Sequence, residues 1–355
     1  MSNLSYREIF PSSFISANSK NGFYSLYDEV FDACNFDRIY VLFGGPGTGK
    51  STFLRELAQK AEKRSIAVEE ILCSSDPSSL DGVLMTKDGV RIGVLDGTPP
   101  HGRIITSPAI SEELIDLGAF WDTNKISENK NTIYALKDKK RENYESAYRY
   151  LLAAGTLWEE FTEAKKKYFD KEKAKRQILH KLHALKERGV CQRRFLRSFS
   201  TCGNVVLPVR DEGVQNILLI RGSMCTAEIY LSYFEELLQQ NEIAHTVFLS
   251  PLSPNAVDAI FFSENKTLLI KEDLFGGKTS HRRIVADRFF SWLPEDKKEH
   301  KHIFEETLSL ALSSLKQAGA AHAAMEKYYI DGMDFSSLGA YREASIEKIL
   351  SEFPV

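Results

Sequence analysis

The sequence predicts an α/β fold made of two tandem units, each a mainly parallel sheet flanked by helices and followed by a helical appendage. Short apolar runs suited to buried strands alternate with amphipathic helical stretches, which is typical of α/β proteins. Residues 42–96 recur without gaps later in the chain, and Gly222 matches Gly45 at an offset of 222 − 45 = 177. A stripe of apolar residues at helical spacing follows each copy and predicts a long amphipathic helix.

Length and composition are those of a globular protein with more than one domain. The chain has 355 residues, of which 43% are hydrophobic and 27% charged. At roughly 100 to 200 residues per domain, this length allows two domains with appendages. We divide it into a first α/β domain (1–135), a basic helical appendage (136–192), a second α/β domain (193–293) and a C-terminal helical appendage (294–355).

The cellular location expected from the sequence is the cytoplasm. The N-terminal residues show no basic region followed by an apolar stretch, and no run of about 18 apolar residues occurs, so neither a signal peptide nor a membrane span is predicted. The 5 cysteines have no C-x-x-C spacing. We therefore expect reduced thiols rather than disulfides or a zinc site.

A glycine-rich loop stands between an apolar strand, Tyr40–Phe43, and a long helical stretch. Its residues GGPGTGKS, at 44–51, fit the Walker A pattern G-x-x-x-x-G-K-[ST]. In this pattern backbone N–H groups wrap around phosphate oxygens, and the helix N-terminus adds its dipole. Lys50 is expected to reach the β- and γ-phosphates, and the Ser51 hydroxyl to bind Mg²⁺. The predicted ATP-binding residues are Gly45, Pro46, Gly47, Thr48, Gly49, Lys50, Ser51 and Thr52.

A carboxylate that can hold the metal follows a second apolar strand. The stretch VRIGVLDGT, at 90–98, delivers Asp96 to the carboxyl edge of the predicted sheet, where ligands of open α/β sheets bind. We expect Asp96 to hold Mg²⁺ directly or through water, although an Asp-Gly turn is the alternative. The next residue is Gly97 rather than a glutamate that would polarise water, so fast hydrolysis is not predicted. Pro99 breaks the guanine-site pattern D-x-x-G, which favours adenine.

The residues that orient water or an acceptor are less well defined. Asp76 follows the apolar end of another strand, and His101 lies with Arg103 in the stretch TPPHGRII. Each can act on water or on an acceptor, or can serve only as a cap or turn residue. The predicted catalytic residues are Lys50, Asp76, Asp96 and His101.

The second copy of the loop lacks the residues that bind phosphate and metal. At the ungapped offset, Lys50 becomes Ala227 and Ser51 becomes Glu228. Loss of one charge-assisted contact costs about 1.5–3 kcal/mol, and a carboxylate that faces a triphosphate adds repulsion. We therefore expect one working nucleotide site per chain.

Two further matches suggest that the second unit keeps a regulatory or docking role. Asp96 aligns with Asp273, and the stretch 101–105 recurs as 281–285 after a three-residue insertion. An arginine that reaches a γ-phosphate in a neighbouring unit can stabilise transition-state charge. The candidates for such a contact, or for ordinary ion pairs, are Arg221, Arg282 and Arg283.

The loop, the stretches CSSDPSSLDG and LDGTPPH, and the second loop-like half together resemble an uncharacterised bacterial family of tandem P-loop ATP-binding proteins. The resemblance covers nearly the whole chain and implies two P-loop NTPase-like units that bind ATP and hydrolyse it. In that family both halves commonly keep a glycine-lysine loop. The stretch 222–228 of this chain departs from that pattern.

The sequence therefore predicts a Mg·ATP-binding protein that hydrolyses ATP slowly until a partner or a conformational change completes the site. A kinase that acts on a small acceptor and a non-catalytic ATP switch are the alternatives. Residues 137–197 hold 18 Lys or Arg and 9 Asp or Glu, a balance of 18 − 9 = +9. Such a segment can attract nucleic acid, but its aromatic residues follow a helix-packing period, so we favour a solvated helix face. The expected partners are ATP and either a protein or a small-molecule acceptor, with no membrane.

Overall fold

The computed structural model describes residues 9–99, 105, 107–182, 185, 187–277 and 281–354. Over these residues the chain forms two α/β units, each with a six-stranded mixed sheet flanked by helices. The predicted α/β fold with two tandem units is confirmed.

In the first unit the glycine-rich loop follows β4 (Arg38–Phe43), a buried inner strand. Its strands are β1 (Ser12–Ser13), β2 (Ser16–Ser19), β3 (Gly22–Ser25), β4 (Arg38–Phe43), β5 (Ala67–Leu72), β6 (Leu80–Lys87), β7 (Val90–Asp96) and β8 (Glu112–Asp116), and its helices are α1 (Tyr27–Val30) and α2 (Lys50–Lys63). The sheet order is β1-β5-β6-β7-β4-β8. The pairs β1–β5, β7–β4 and β4–β8 are parallel, whereas β5–β6 and β6–β7 are antiparallel.

Helices follow this sheet in the order α3 (Thr123–Glu128), α4 (Lys130–Lys166) and α5 (Lys171–Leu182). Helix α4 has 37 residues, and its buried positions include Ala147, Leu151 and Ala154. Their spacings of four and three place them on one face, as the apolar stripe predicts. This face packs along a helix of the second unit.

The second unit repeats the topology of the first. Its strands are β9 (Cys191–Arg194), β10 (Arg197–Ser200), β11 (Gly203–Val206), β12 (Asn216–Arg221), β13 (His245–Leu249), β14 (Val257–Phe262), β15 (Thr267–Lys271) and β16 (Arg282–Val285), and its helix is α6 (Thr226–Gln240). The sheet order, β9-β13-β14-β15-β12-β16, matches the first sheet strand for strand, with the same parallel and antiparallel pairs. Helices α7 (Lys298–Asp331) and α8 (Phe335–Ser351) follow.

The two appendages are exchanged between the units. Helix α8, from the second appendage, packs on α2 of the first unit, where Leu338 and Ile346 join the apolar core around Leu57. Helix α5, from the first appendage, packs on α6 of the second unit, where Tyr230 donates a 3.0 Å hydrogen bond to Gln177 Oε1. Helices α4 and α7 lie against each other between the units. The terminal helix of each appendage therefore packs on the other unit, whereas α4 and α7 also contact strands of their own units.

The strand register corrects one match of the ungapped repeat. Leu42 on β4 pairs with Asp96 on β7, and the corresponding pair of the second unit is Ile220 with Lys271. The strands of the β14–β15 hairpin are shorter than those of the β6–β7 hairpin. Lys271, and not Asp273, therefore takes the position of Asp96.

The predicted match between the stretches 101–105 and 281–285 is also wrong. Strand β16 pairs with β12 in parallel, as β8 pairs with β4. The stretch 281–285 therefore corresponds to residues of β8 rather than to the stretch 101–105. Within the described residues, no helix combines the length and the apolar character needed to cross a membrane.

Candidate nucleotide site

The Walker A loop connects β4 to α2 in the conformation that its glycines allow. Gly47 and Gly49 have φ angles of 71° and 79°, in the left-handed region that disfavours other residues. The Thr48 hydroxyl donates a 2.9 Å hydrogen bond to Gly45 O, which closes the turn. Helix α2 then begins at Lys50, directly after the loop. A helix N-terminus of this kind favours bound anions.

Lys50 and Asp96 meet at the carboxyl edge of the sheet. Lys50 Nζ lies 3.7 Å from Asp96 Oδ2 and donates to Gly44 O and Gly45 O at 2.5 and 2.8 Å. Burial raises the pKa of Asp96, and the charge of Lys50 opposes that rise. Asp96 Oδ1 also accepts hydrogen bonds from the Thr98 amide and hydroxyl. The structure thus brings the predicted phosphate-binding lysine and the predicted metal-binding carboxylate together.

The other predicted residues take different places. Ser51 Oγ accepts a 3.0 Å hydrogen bond from Leu80 N and remains beside the loop, where it and Thr52 line the same cavity. Asp76 also lines this cavity, but its Oδ1 accepts from Ser78 N and Oγ at 3.1 and 2.7 Å, which is a turn arrangement. His101 and Arg103 lie outside the described residues.

The cavity over the loop has a volume of about 1100 Å³ and is lined on one side by the long helices α4 and α7. The helices contribute basic and aromatic side chains, and the loop and the ends of β5–β7 contribute most of the rest, together with Phe23, Thr201 and Phe335. Four cations on these helices line the cavity: Lys137, Lys140, Arg141 and Lys316. Tyr144 and Tyr148 of α4 stand beside them. The cavity can therefore accommodate a polyanion.

Helix α7 also reaches into the phosphate loop, which the sequence analysis missed. Glu326 Oε1 accepts a 3.1 Å hydrogen bond from Gly47 N, so a carboxylate occupies a donor that a phosphate would use. A Cβ on Gly47 would lie 2.7 Å from Ile330 Cγ1. Glu326 stands 279 positions from Gly47, and no local pattern connects the two.

His322 is a second contribution of α7 that the sequence analysis missed. Its Nδ1 lies 3.1 Å from Lys140 Nζ. Burial lowers the pKa of His322 to about 4, with help from the charges of Lys140 and Lys50. Burial likewise lowers the pKa of Lys140. A neutral imidazole and a lysine that deprotonates more easily therefore face the phosphate loop.

The loop of the second unit keeps the turn of the first. Thr226 Oγ1 donates to Ser223 O at 2.9 Å, as Thr48 does to Gly45 O, and Cys225 has a φ of 69°, like Gly47. These matches give an offset of 226 − 48 = 178 in the loop rather than 177.

At this offset Glu228 takes the place of Lys50, and the strand register puts Lys271 in the place of Asp96. The two charges of the site are thus exchanged. Burial raises the pKa of Glu228, and the charge of Lys271 opposes that rise. Trp158 Nε1 donates to both carboxylate oxygens of Glu228, at 3.0 and 3.2 Å.

Other side chains occupy what remains of the second loop. Asp287 accepts hydrogen bonds from Ser223 N and from the Thr226 hydroxyl at 2.8 and 2.6 Å. Lys165, from α4, donates to Met224 O at 2.7 Å. Because protein groups already satisfy the loop and Glu228 carries the wrong charge, this loop is unsuited to a triphosphate.

The arginines of the second unit do not reach the first site. Arg283 Nε lies 2.6 Å from Glu272 Oε1, and Arg221 Nε lies 3.6 Å from Glu272 Oε2. The lining of the cavity over the first loop includes neither of them, nor Arg282. In this structure the idea of an arginine finger from the second unit is therefore wrong.

Comparisons with protein-family models, curated proteins and solved structures find no match to this chain. The family resemblance that the motifs suggest remains a prediction.

Proposed function

We propose that the protein binds Mg·ATP at one site, the Walker A loop of the first unit, and hydrolyses it slowly. The observation that carries this proposal is the pairing of Lys50 with Asp96, 3.7 Å apart, at the mouth of a glycine loop. A lysine and a carboxylate at these positions serve a phosphate and its metal in P-loop enzymes. A cytoplasmic location is part of the proposal.

The residues of the site have separate tasks. Lys50, held here by loop carbonyls, turns to the β- and γ-phosphates when nucleotide binds. Ser51 and Asp96 hold Mg²⁺, which neutralises phosphate charge. Thr48 and the glycines keep the loop amides in place.

The contact of Glu326 with the loop supports slow turnover. A phosphate that binds the Gly47 amide has to displace this carboxylate. Helix α7 of the second unit's appendage also packs on Gly47 through Ile330, so a partner that holds α7 away from the loop would ease nucleotide binding. Gly97 follows Asp96 where a glutamate would polarise the attacking water, and this also supports slow hydrolysis.

The test of the proposal is a calorimetric titration with Mg·ATP. We expect one site per chain, and we expect Lys50→Ala to abolish it. The matched control is Lys63→Ala, an exposed lysine on the same helix, which should bind as the parent protein does. Two equivalent sites per chain, or unchanged binding by Lys50→Ala, would refute the proposal.

Transfer of the γ-phosphoryl group to a small anionic acceptor is the second candidate. It is favoured by the cluster of Lys137, Lys140, Arg141 and Lys316 around a cavity of about 1100 Å³. In this role Asp76, which lines the same cavity, accepts the proton of the acceptor hydroxyl. Incubation of γ-labelled ATP with a metabolite pool distinguishes the functions: the label appears on a small molecule for a kinase, as free phosphate for an ATPase, and on neither for a switch.

A further inference from the structure

Three side chains of metal-binding type converge at the edge of the second sheet that lies opposite its degenerate loop. The Sγ of Cys191, a carboxylate oxygen of Glu235 and a ring nitrogen of His245 all lie within 4.8 Å of one another. Cys191 and His245 are the first residues of β9 and β13 and are direct partners in the parallel register. Glu235 reaches them from α6. The cluster therefore joins an edge strand, an inner strand and a helix.

The histidine is oriented as a metal-binding histidine is. His245 is buried, with 1% of its side chain exposed, and its Nδ1 lies 2.7 Å from Ile243 O. A ring that donates its Nδ1–H to a backbone carbonyl has its lone pair on Nε2, and this arrangement is common among metal ligands. Within the part of the chain that the structure describes, Nε2 has no hydrogen-bond partner, and Glu235 Oε1 is 3.9 Å away.

We propose that Cys191, Glu235 and His245 bind one zinc ion, with a water molecule as the fourth ligand. Thiolate, imidazole and carboxylate together suit Zn²⁺, whereas Mg²⁺ and Ca²⁺ prefer oxygen ligands alone. Zinc–ligand bonds of about 2.0–2.3 Å place tetrahedral ligand atoms roughly 3.3–3.8 Å apart. A closure of at most about 1.5 Å converts the present arrangement into such a site.

The site has a structural role. The metal would link β9, the first strand after the first appendage, to β13 and to α6. Backbone hydrogen bonds already hold the residues before β9 against those before β13. Ala244 N donates to Glu187 O at 3.0 Å, and Gly189 N donates to Glu242 O at 3.1 Å. The sequence predicts no zinc site, because C-x-x-C spacing is absent and the three proposed ligands lie far apart in the chain.

The same side chains can also be held together without a metal, by a protonated imidazole. Burial lowers the pKa of His245, but Cys191 and Glu235 outweigh burial and raise it to about 9. A protonated imidazole carries a hydrogen on both nitrogens and cannot bind zinc. The two states are mutually exclusive, so an experiment can distinguish them.

The test uses the full chain, freed of metal with a chelator and titrated with Co²⁺, which replaces zinc and absorbs strongly when bound to thiolate. We expect one equivalent of Co²⁺ per chain with a thiolate–cobalt band, and competition of Zn²⁺ for the same site. Cys191→Ser should abolish the band. The control Cys202→Ser removes an exposed thiol elsewhere in the second unit and should leave it unchanged.

A second variant covers the case in which Cys191→Ser fails to fold. Glu235→Gln keeps the size of the side chain and should weaken Co²⁺ binding about tenfold or more, because loss of even an indirect partner of a metal ligand typically costs this much. Absence of a thiolate–cobalt band in the parent protein would overturn the proposal in favour of the protonated imidazole. A band that survives in Cys191→Ser would overturn it too.

Discussion

Glu326 on α7 accepts a hydrogen bond from the backbone amide of Gly47, 3.1 Å away, in the middle of the phosphate loop. The two residues belong to opposite ends of the chain. If the loop binds nucleotide as we propose, this carboxylate competes with a phosphate for the Gly47 amide, because both are anions that accept from backbone N–H groups.

We expect Glu326→Gln to bind Mg·ATP about tenfold more tightly than the parent protein. The amide removes the charge that competes with the phosphates, and tenfold corresponds to about 1.4 kcal/mol. Calorimetry measures the change. Glu306→Gln, an exposed change on the same helix, is the control and should have no effect. Equal or weaker binding by Glu326→Gln would show that the carboxylate does not compete with nucleotide.

Trp121 offers an optical measurement of nucleotide binding. Its ring lies 3.0 Å from the position that a Cβ on Gly45 would take, so it packs against the loop. We expect Mg·ATP to change the intrinsic fluorescence of the protein. The change should vanish in Trp121→Phe and persist in Trp292→Phe, which alters an exposed tryptophan. Persistence of the full signal in Trp121→Phe would mean that the nucleotide binds elsewhere.

The exchanged charges of the second loop predict an energetic coupling. Lys271 lies 3.2 Å from Asp258. Its charge also lowers the pKa of Glu228, which burial raises, and so stabilises the Glu228 carboxylate. Lys271→Met should lower the free energy of unfolding by about 3–5 kcal/mol, because it leaves buried carboxylates without this partner. Glu228→Gln removes one of those carboxylates, so the double variant should lose less than the sum of the single changes.

Urea denaturation of the parent protein, the two single variants and the double variant measures this coupling, which we expect to be about 1 kcal/mol or more. Glu236→Gln, on the exposed face of the same helix, should show no coupling with Lys271→Met. Strict additivity of Glu228→Gln and Lys271→Met would rule out an interaction between the exchanged charges.

His322 predicts a loss of stability in acid. Its folded-state pKa is about 4, below the ordinary value of 6.5, because burial and neighbouring cations disfavour the imidazolium. Between these values the unfolded chain binds a proton that the folded chain does not. Stability is therefore complete above pH 6.5 and falls as the pH decreases toward 4, by up to about 3 kcal/mol.

Denaturation at several pH values, with and without the histidine, isolates this effect. His322→Gln should remove part of the decline between pH 6.5 and 4, whereas the exposed His302→Gln should not. Parallel profiles for His322→Gln and the parent protein would show that His322 titrates normally in the folded state.

The loop and its carboxylate could be predicted because their determinants are local. Glycines that adopt positive φ, a lysine at the helix start and an aspartate at a strand end are fixed by neighbours in sequence. The repeat was visible for the same reason, since strands and turns keep their order.

The covering helices could not be predicted in the same way. Glu326 and His322 reach the loop only because α7 crosses to the first unit, and an amphipathic stripe predicts a helix without indicating its partner. The position of Lys271 was also missed, because an ungapped alignment cannot detect a shortened hairpin. Register and crossing depend on contacts between distant residues.

The crossing of the appendages bears on the ancestry of the chain. A single unit with its appendage would leave an apolar face on its own sheet uncovered, and a second copy of the same unit would cover it. The exchanged helices give the chain the arrangement of a domain-swapped homodimer whose two halves are joined in one polypeptide. Fusion lets the halves diverge, so one half can lose its phosphate loop while its helix still serves the other. Two separately encoded halves should accordingly assemble into a heterodimer when they are produced together.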